Sequence, residues 1–123
     1  MPPCPRLQRP HGSGVHVLPR RQKPSIEEIK DVWAGFKGRA QELELPSAPK
    51  QFLHYFEEDN RPQTKLDRDF EHGMGICIGR LRDDPIFDYR FVCISHNTLR
   101  GAAGGGVESA ELLCAQGWIP YKK

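Results

Sequence analysis

Two alternating apolar runs separated by a turn signal constrain this chain most. From Met74 to Leu81, Met74, Ile76 and Ile78 fall on one face of an extended segment. From Phe87 to Ile94, Phe87, Tyr89, Phe91 and Cys93 share one face, and Asp88 and Arg90 share the other with Val92 and Ile94. Period-two patterning of this kind is the signature of strands. Asp83-Asp84-Pro85 between them is turn chemistry. The pattern predicts an antiparallel hairpin.

The second strand leads directly into Ser95-His96-Asn97-Thr98-Leu99-Arg100-Gly101-Ala102-Ala103-Gly104-Gly105-Gly106, and from there into a helix ending at Gly117. Ser95 or Asn97 reads as the N-cap. Ala103, Gly106, Val107, Ala110 and Cys114 recur at helical spacing, a stripe of small side chains. Each glycine inside a helix costs roughly 1 kcal/mol relative to alanine. Close packing offsets such a cost, and so does a ligand drawn to the unsatisfied N–H groups of a helix start. Both readings stay open at this point. The run lacks Gly-Lys-Ser/Thr and so is not a phosphate-binding P-loop. Gly73-Met74-Gly75 leads into a strand and does not fit the dinucleotide fingerprint. Ser95, His96 and Asn97 are adjacent on an extended segment, point in different directions and cannot form a triad. His96 has no carboxylate near it in sequence to support a proton-transfer role. Glu108 stands within the small-residue helix and is expected to face solvent.

Upstream, Ser25-x-x-Glu28 after Pro24 forms a capping box. Ile26, Ile29, Val32, Trp33 and Phe36 then line one helical face, which predicts a helix over 26–37 stopped by Gly38. Trp33 and Phe36 are expected in the core. Leu43 to Lys50, with Pro46 and Pro49, reads as an extended loop, and Gln51 to Phe56 as a strand in which His54 is packed or at an edge. Glu57 to His72 carries nine charged residues, six acidic and three basic, and is expected to stay on the surface.

The formal net charge of +2 is unevenly spread. Residues 1–24 hold five basic side chains and no acidic one, leaving 13 basic and 16 acidic over the rest. A mildly acidic body argues against a nucleic-acid interface. Residues 1–23, with five prolines, read as irregular apart from a short strand around Val15, Val17 and Leu18, and His11 and His16 as solvated. No apolar run approaches the roughly 20 residues of a membrane span, and no secretory h-region is visible near Met1. No two of Cys4, Cys77, Cys93 and Cys114 stand at Cys-x-x-Cys spacing, so no metal site is expected. Cys77, Cys93 and Cys114 read as small buried hydrophobes.

Several segments occur in one fixed order: Pro46-Ser47-Ala48-Pro49-Lys50, Arg61-Pro62-Gln63, Leu66-Asp67-Arg68-Asp69, Gly73-Met74, Gly79-Arg80-Leu81-Arg82, Asp84-Pro85-Ile86-Phe87-Asp88-Tyr89 and Ser95 to Gly105. Together, from Lys23 to about Ile119, they resemble the carboxyl-terminal domain of aspartate-semialdehyde dehydrogenases in their fungal and archaeal form. The resemblance implies an NADP-dependent reduction of aspartyl phosphate to aspartate semialdehyde, serving lysine, threonine and methionine synthesis. It implies a mixed sheet that builds a dimer, with an Asn at the start of the last helix meeting the nicotinamide. That role falls on Asn97. The family's cysteine nucleophile and dinucleotide-binding domain have no counterpart here, so no catalytic residue is assigned. Residues 6–21 depart from the family, which would follow from a reading frame diverging before Lys23.

The expected architecture is α+β: an antiparallel or mixed sheet covered by helices over 26–37 and about 98–116. Residues 24–120 form the dimerisation-type domain, after an irregular basic segment over 1–23. The expected partner is a second copy or the full-length enzyme, in the cytoplasm, with neither nucleic acid nor membrane. The rival reading is a non-catalytic interaction protein that pairs with the full-length enzyme, or a gene fragment.

Overall fold

A computed structural model describes residues 23–120, together with the backbone of Val15 and His16. The irregular reading of the other N-terminal residues, and the readings of Cys4 and His11, lie outside the described residues. The same holds for the side chain of His16.

A four-stranded mixed sheet organises the chain, in the order β1 (Val15–His16), β4 (Tyr89–Ser95), β3 (Ile76–Asp83) and β2 (Leu53–Phe56). β3 and β4 form the expected antiparallel hairpin, with Ile76 opposite Ser95 and Ile78 opposite Cys93. The register shifts between Gly79 and Arg82, and Arg80 takes up the irregularity with φ +57°. The turn is closed by Asp84, whose carboxylate accepts from Ile86 N and Phe87 N, both at 3.0 Å. Phe87 therefore lies in the turn, outside the strand that alternation alone extends to it. β2 runs parallel to β3, with Leu53 opposite Ile76 and Phe56 opposite Gly79.

α1 (Ile26–Ala34) begins with the capping box: Glu28 N donates to Ser25 Oγ at 3.1 Å, and Ser25 N to the Glu28 carboxylate at 2.6 Å. It stops three residues earlier than expected: Gly35 N makes the last i→i−4 bond, to the Asp31 carbonyl at 2.9 Å, and Phe36 N turns instead to the Trp33 carbonyl at 3.3 Å. Gly38 instead opens a second short helix, α2 (Arg39–Glu42). Trp33 sits between Tyr55 and Phe91, with ring centroids 5.9 and 5.2 Å away. Phe36 leans on Phe52, yet it is 43% exposed and so is not a core residue. Val32, also counted on the apolar face, is exposed.

The charged crossover between β2 and β3 stays largely on the surface as expected, with Asp67 the buried exception among its charged residues. It holds α3 (Thr64–Asp67) and a 3-10 turn over Phe70–Gly73, and it covers part of the sheet. Pro62, Asp67 and Gly73 are buried. Arg61 Nε donates to Asp67 at 2.9 Å, Gln63 N donates to the same carboxylate at 2.6 Å, and the Arg61 guanidinium stacks 4.5 Å from the Phe56 ring centroid. The wholly buried Cys77 thiol donates to the Asp67 carbonyl. Charge count predicts solvation only when charges are unpaired, and here the pair satisfies itself. Gly79 is required: a Cβ there would meet the Arg61 carbonyl oxygen at 2.6 Å. β3 is thus buried on both faces, and Cys77, Ile78, Leu81 and Tyr89 make up most of the apolar core with Met74 and Leu45.

Of the three cysteines expected to be buried, Cys77 is, Cys93 is exposed and Cys114 is half-buried. Among the described residues, no helix is long and apolar enough to cross a membrane.

Candidate functional site

β4 ends at Ser95, and the next residues turn the chain into its last helix. The entry is not a regular α-helix. Leu99–Ala103 form a π turn, in which Ala103 N donates to the Thr98 carbonyl at 2.9 Å, and α4 (Gly104–Ala115) follows. Gly117, at φ +79°, ends it as expected, with Trp118 N returning to the Leu113 carbonyl at 2.9 Å.

The cap is His96 rather than Ser95 or Asn97. Its Nδ1 accepts from Thr98 N at 3.2 Å and from Leu99 N at 3.1 Å. Its Nε2 lies 3.6 Å from Asp69, a carboxylate remote from it in sequence. Asn97, the residue assigned to the nicotinamide, is exposed. It projects at the point where the strand ends and the π turn begins.

The glycines divide by direction. A Cβ on Gly104 would stand 2.5 Å from the Met74 sulfur and 2.9 Å from the Leu99 carbonyl oxygen, so this glycine lets the helix press onto the core. Gly106 has nothing within 4 Å of its missing Cβ, and Ala102, Ala103, Val107 and Ala110 beside it are exposed. Inward glycines serve packing within the domain, and outward ones leave a smooth, weakly polar surface. A groove of about 360 Å³ lies where Leu99, Ala103, Gly104 and Val107 face Pro46 and His72.

Glu108 does not face solvent. It is 6% exposed and accepts a hydrogen bond from Arg100, whose guanidinium lies 4.6 Å from the Phe52 ring centroid. Its Oε1 is buried without a hydrogen-bond partner. Residues eight apart diverge by about 80° around a regular helix. The π turn inserts one extra residue and brings Arg100 and Glu108 to the same side. Helical periodicity does not reveal that pair before the π turn is known.

Cys77 and Cys93 are poor nucleophiles. Burial pushes Cys77 up to about 11, and partial desolvation raises Cys93 although its residue is exposed. Among the described residues, no three His, Cys, Asp or Glu side chains gather as metal ligands.

Comparison with known proteins places this geometry. The family described as semialdehyde dehydrogenase, dimerisation domain, matches residues 11–100. Aspartate-semialdehyde dehydrogenase of Saccharomyces cerevisiae is 44% identical over 99 residues, covering 80% of this chain and 27% of that protein. Malonyl CoA reductase (NADP) of Metallosphaera sedula is 40% identical over 117 residues, covering 93% of this chain and 33% of that protein. The crystal structure of aspartate semialdehyde dehydrogenase with NADP from Candida albicans superposes with a TM-score of 0.75 at 39% identity, over 84% of this chain and 29% of that one. The chain thus spans roughly a third or less of these relatives. With the family match running over most of its length and the mixed sheet reproduced in a solved relative, this chain belongs to the semialdehyde dehydrogenase family, of which it carries the dimerisation domain.

Proposed function

We propose that this chain supplies the dimerisation and cofactor-contacting part of an NADP-dependent aspartate-semialdehyde dehydrogenase acting in amino-acid biosynthesis in the cytoplasm. The observation that carries this reading is the match of residues 11–100 to the dimerisation domain. The Candida albicans structure is of the enzyme with NADP, and the Metallosphaera sedula relative is an NADP reductase by name. Asn97, exposed at the head of the last helix, is the residue we assign to the nicotinamide. Residues 24–120 are the body that docks, and its partner is a second copy or a full-length subunit.

The raised thiols favour a second reading, in which the chain pairs with a complete enzyme without catalysing anything itself. Covalent acyl transfer needs an activated nucleophile, and neither Cys77 nor Cys93 is one. Size-exclusion chromatography of the chain mixed with a full-length aspartate-semialdehyde dehydrogenase of the same source tests docking. A mixed species supports both readings, and separate elution at micromolar concentration rejects docking onto the enzyme. An NADPH titration of the mixed species then separates them, because Asn97→Ala weakens NADPH binding only if this chain contributes the contact.

A further inference from the structure

We propose that His96 is the positioning residue for Asn97: a neutral imidazole clasps the backbone on either side of Asn97, and protonation at Nδ1 opens the clasp. The two hydrogen bonds from Thr98 N and Leu99 N, at 3.2 and 3.1 Å, close a ring of atoms that encloses Asn97. Its backbone is thereby held while its side chain remains exposed. An imidazole accepts only through an unprotonated nitrogen. With Nδ1 accepting, the single proton of the neutral ring sits on Nε2, which faces the Asp69 carboxylate at 3.6 Å. The ring is clamped from the other side: a Cβ at Gly73, which has φ +77°, would stand 3.2 Å from His96 Cδ2 and 2.6 Å from Leu99 Cδ1. The His96 side chain is only 21% exposed.

The charged group that faces the ring belongs to the crossover. Asp69 faces Nε2 and also accepts from Arg68 Nε at 3.2 Å. Glu71, next along that segment, is engaged by the Lys50 N–H at 3.0 Å. Gly73, which packs on the ring, carries no charge. A second proton on Nδ1 removes both acceptor bonds, so the clasp exists only while the ring is neutral.

The consequence for cofactor contact rests on the reading of Asn97 given above, but the clasp does not, and the test keeps them apart. The full chain, labelled with nitrogen-15, is followed by NMR between pH 8 and pH 5. Imidazole nitrogen spectra are expected to show Nδ1 unprotonated at pH 8. The Thr98 and Leu99 amide signals are expected to move with the His96 titration, and their hydrogen exchange, corrected for intrinsic rates, to rise about tenfold. His96→Asn retains an acceptor that does not titrate, so it keeps the protection at both pH values. His96→Ala loses it at both. Amides that ignore the His96 titration, a proton on Nδ1 at pH 8, or an Ala variant as protected as wild type would each overturn the proposal. Should the Ala variant not fold, the wild-type titration and the Asn variant decide. None of these measurements contains cofactor, so an unchanged NADPH affinity in Asn97→Ala removes the nicotinamide contact and leaves the clasp standing.

Discussion

Arg100 donates to Glu108 across the junction between the π turn and α4, and the second oxygen of that buried carboxylate has no partner. Removing one member of such a pair strands the other, whereas replacing both with apolar side chains removes the desolvation cost. Arg100 is itself a quarter exposed, which softens the effect. Arg100→Ala should therefore destabilise the fold by about 1–3 kcal/mol, and Arg100→Met with Glu108→Leu should restore wild-type stability or exceed it. Urea unfolding of the three proteins measures this. A double variant weaker than Arg100→Ala would refute the account of the pair.

Gly104 and Gly106 are two residues apart with opposite surroundings. Gly106→Ala meets nothing within 4 Å and should raise stability by about 0.5–1 kcal/mol through helix propensity. Gly104→Ala places a methyl 2.5 Å from the Met74 sulfur and 2.9 Å from a carbonyl oxygen, and should destabilise by about 1–3 kcal/mol as overpacking. Thermal melts of the two variants should shift in opposite directions. Equal shifts would mean that the inward and outward glycines are not distinct.

Asp67 ties stability to acid pH. The hydrogen bond from Arg61 is the first cause holding its carboxyl below the ordinary range; burial opposes it and Gln63 N assists. The folded-state value lies below the unfolded one. Its stabilisation is fully present above the ordinary carboxylate range, near pH 4, and is lost as pH falls through the folded value. Asp67→Asn should lower Tm at neutral pH and flatten its decline below about pH 4. A variant with the same acid slope as wild type would show that Asp67 is not the group responsible.

Cys77 should behave as a structural thiol. It is wholly buried, and its proton is held to about 11. In the native chain at pH 8, iodoacetamide should label exposed Cys93 long before Cys77, and urea should equalise the two. Mass spectrometry of the digested protein reads this directly, and early alkylation at Cys77 would contradict the packing described for β3.

Local patterning accounts for much of this molecule. The hairpin is legible in the chain because alternation and Asp84 turn chemistry act over a few residues, as do the Ser25–Glu28 box and the Gly117 stop. The mixed sheet and the family relationship are also within reach, since both depend on patterns and motifs written along the chain. The burial of Asp67 within the otherwise exposed charged segment is not, because its carboxylate looks solvated until Arg61 is seen to pair with it beside Phe56. Residue preference favours Ser95 or Asn97 as the N-cap, but the fold places Asp69 and Gly73 around the ring of His96. Periodicity sends Glu108 to solvent because it assumes a regular helix, and one π turn rotates everything beyond it.

By itself, then, the sequence determined the hairpin, its turn, the Ser25–Glu28 cap and the Gly117 stop, all of which are governed by neighbours within a few positions. Only tertiary structure decided which charges are buried, which glycine faces inward and which side chain closes the backbone around Asn97. Those outcomes depend on groups brought together from distant parts of the chain, where a single paired charge or one inserted residue reverses what local preference favours.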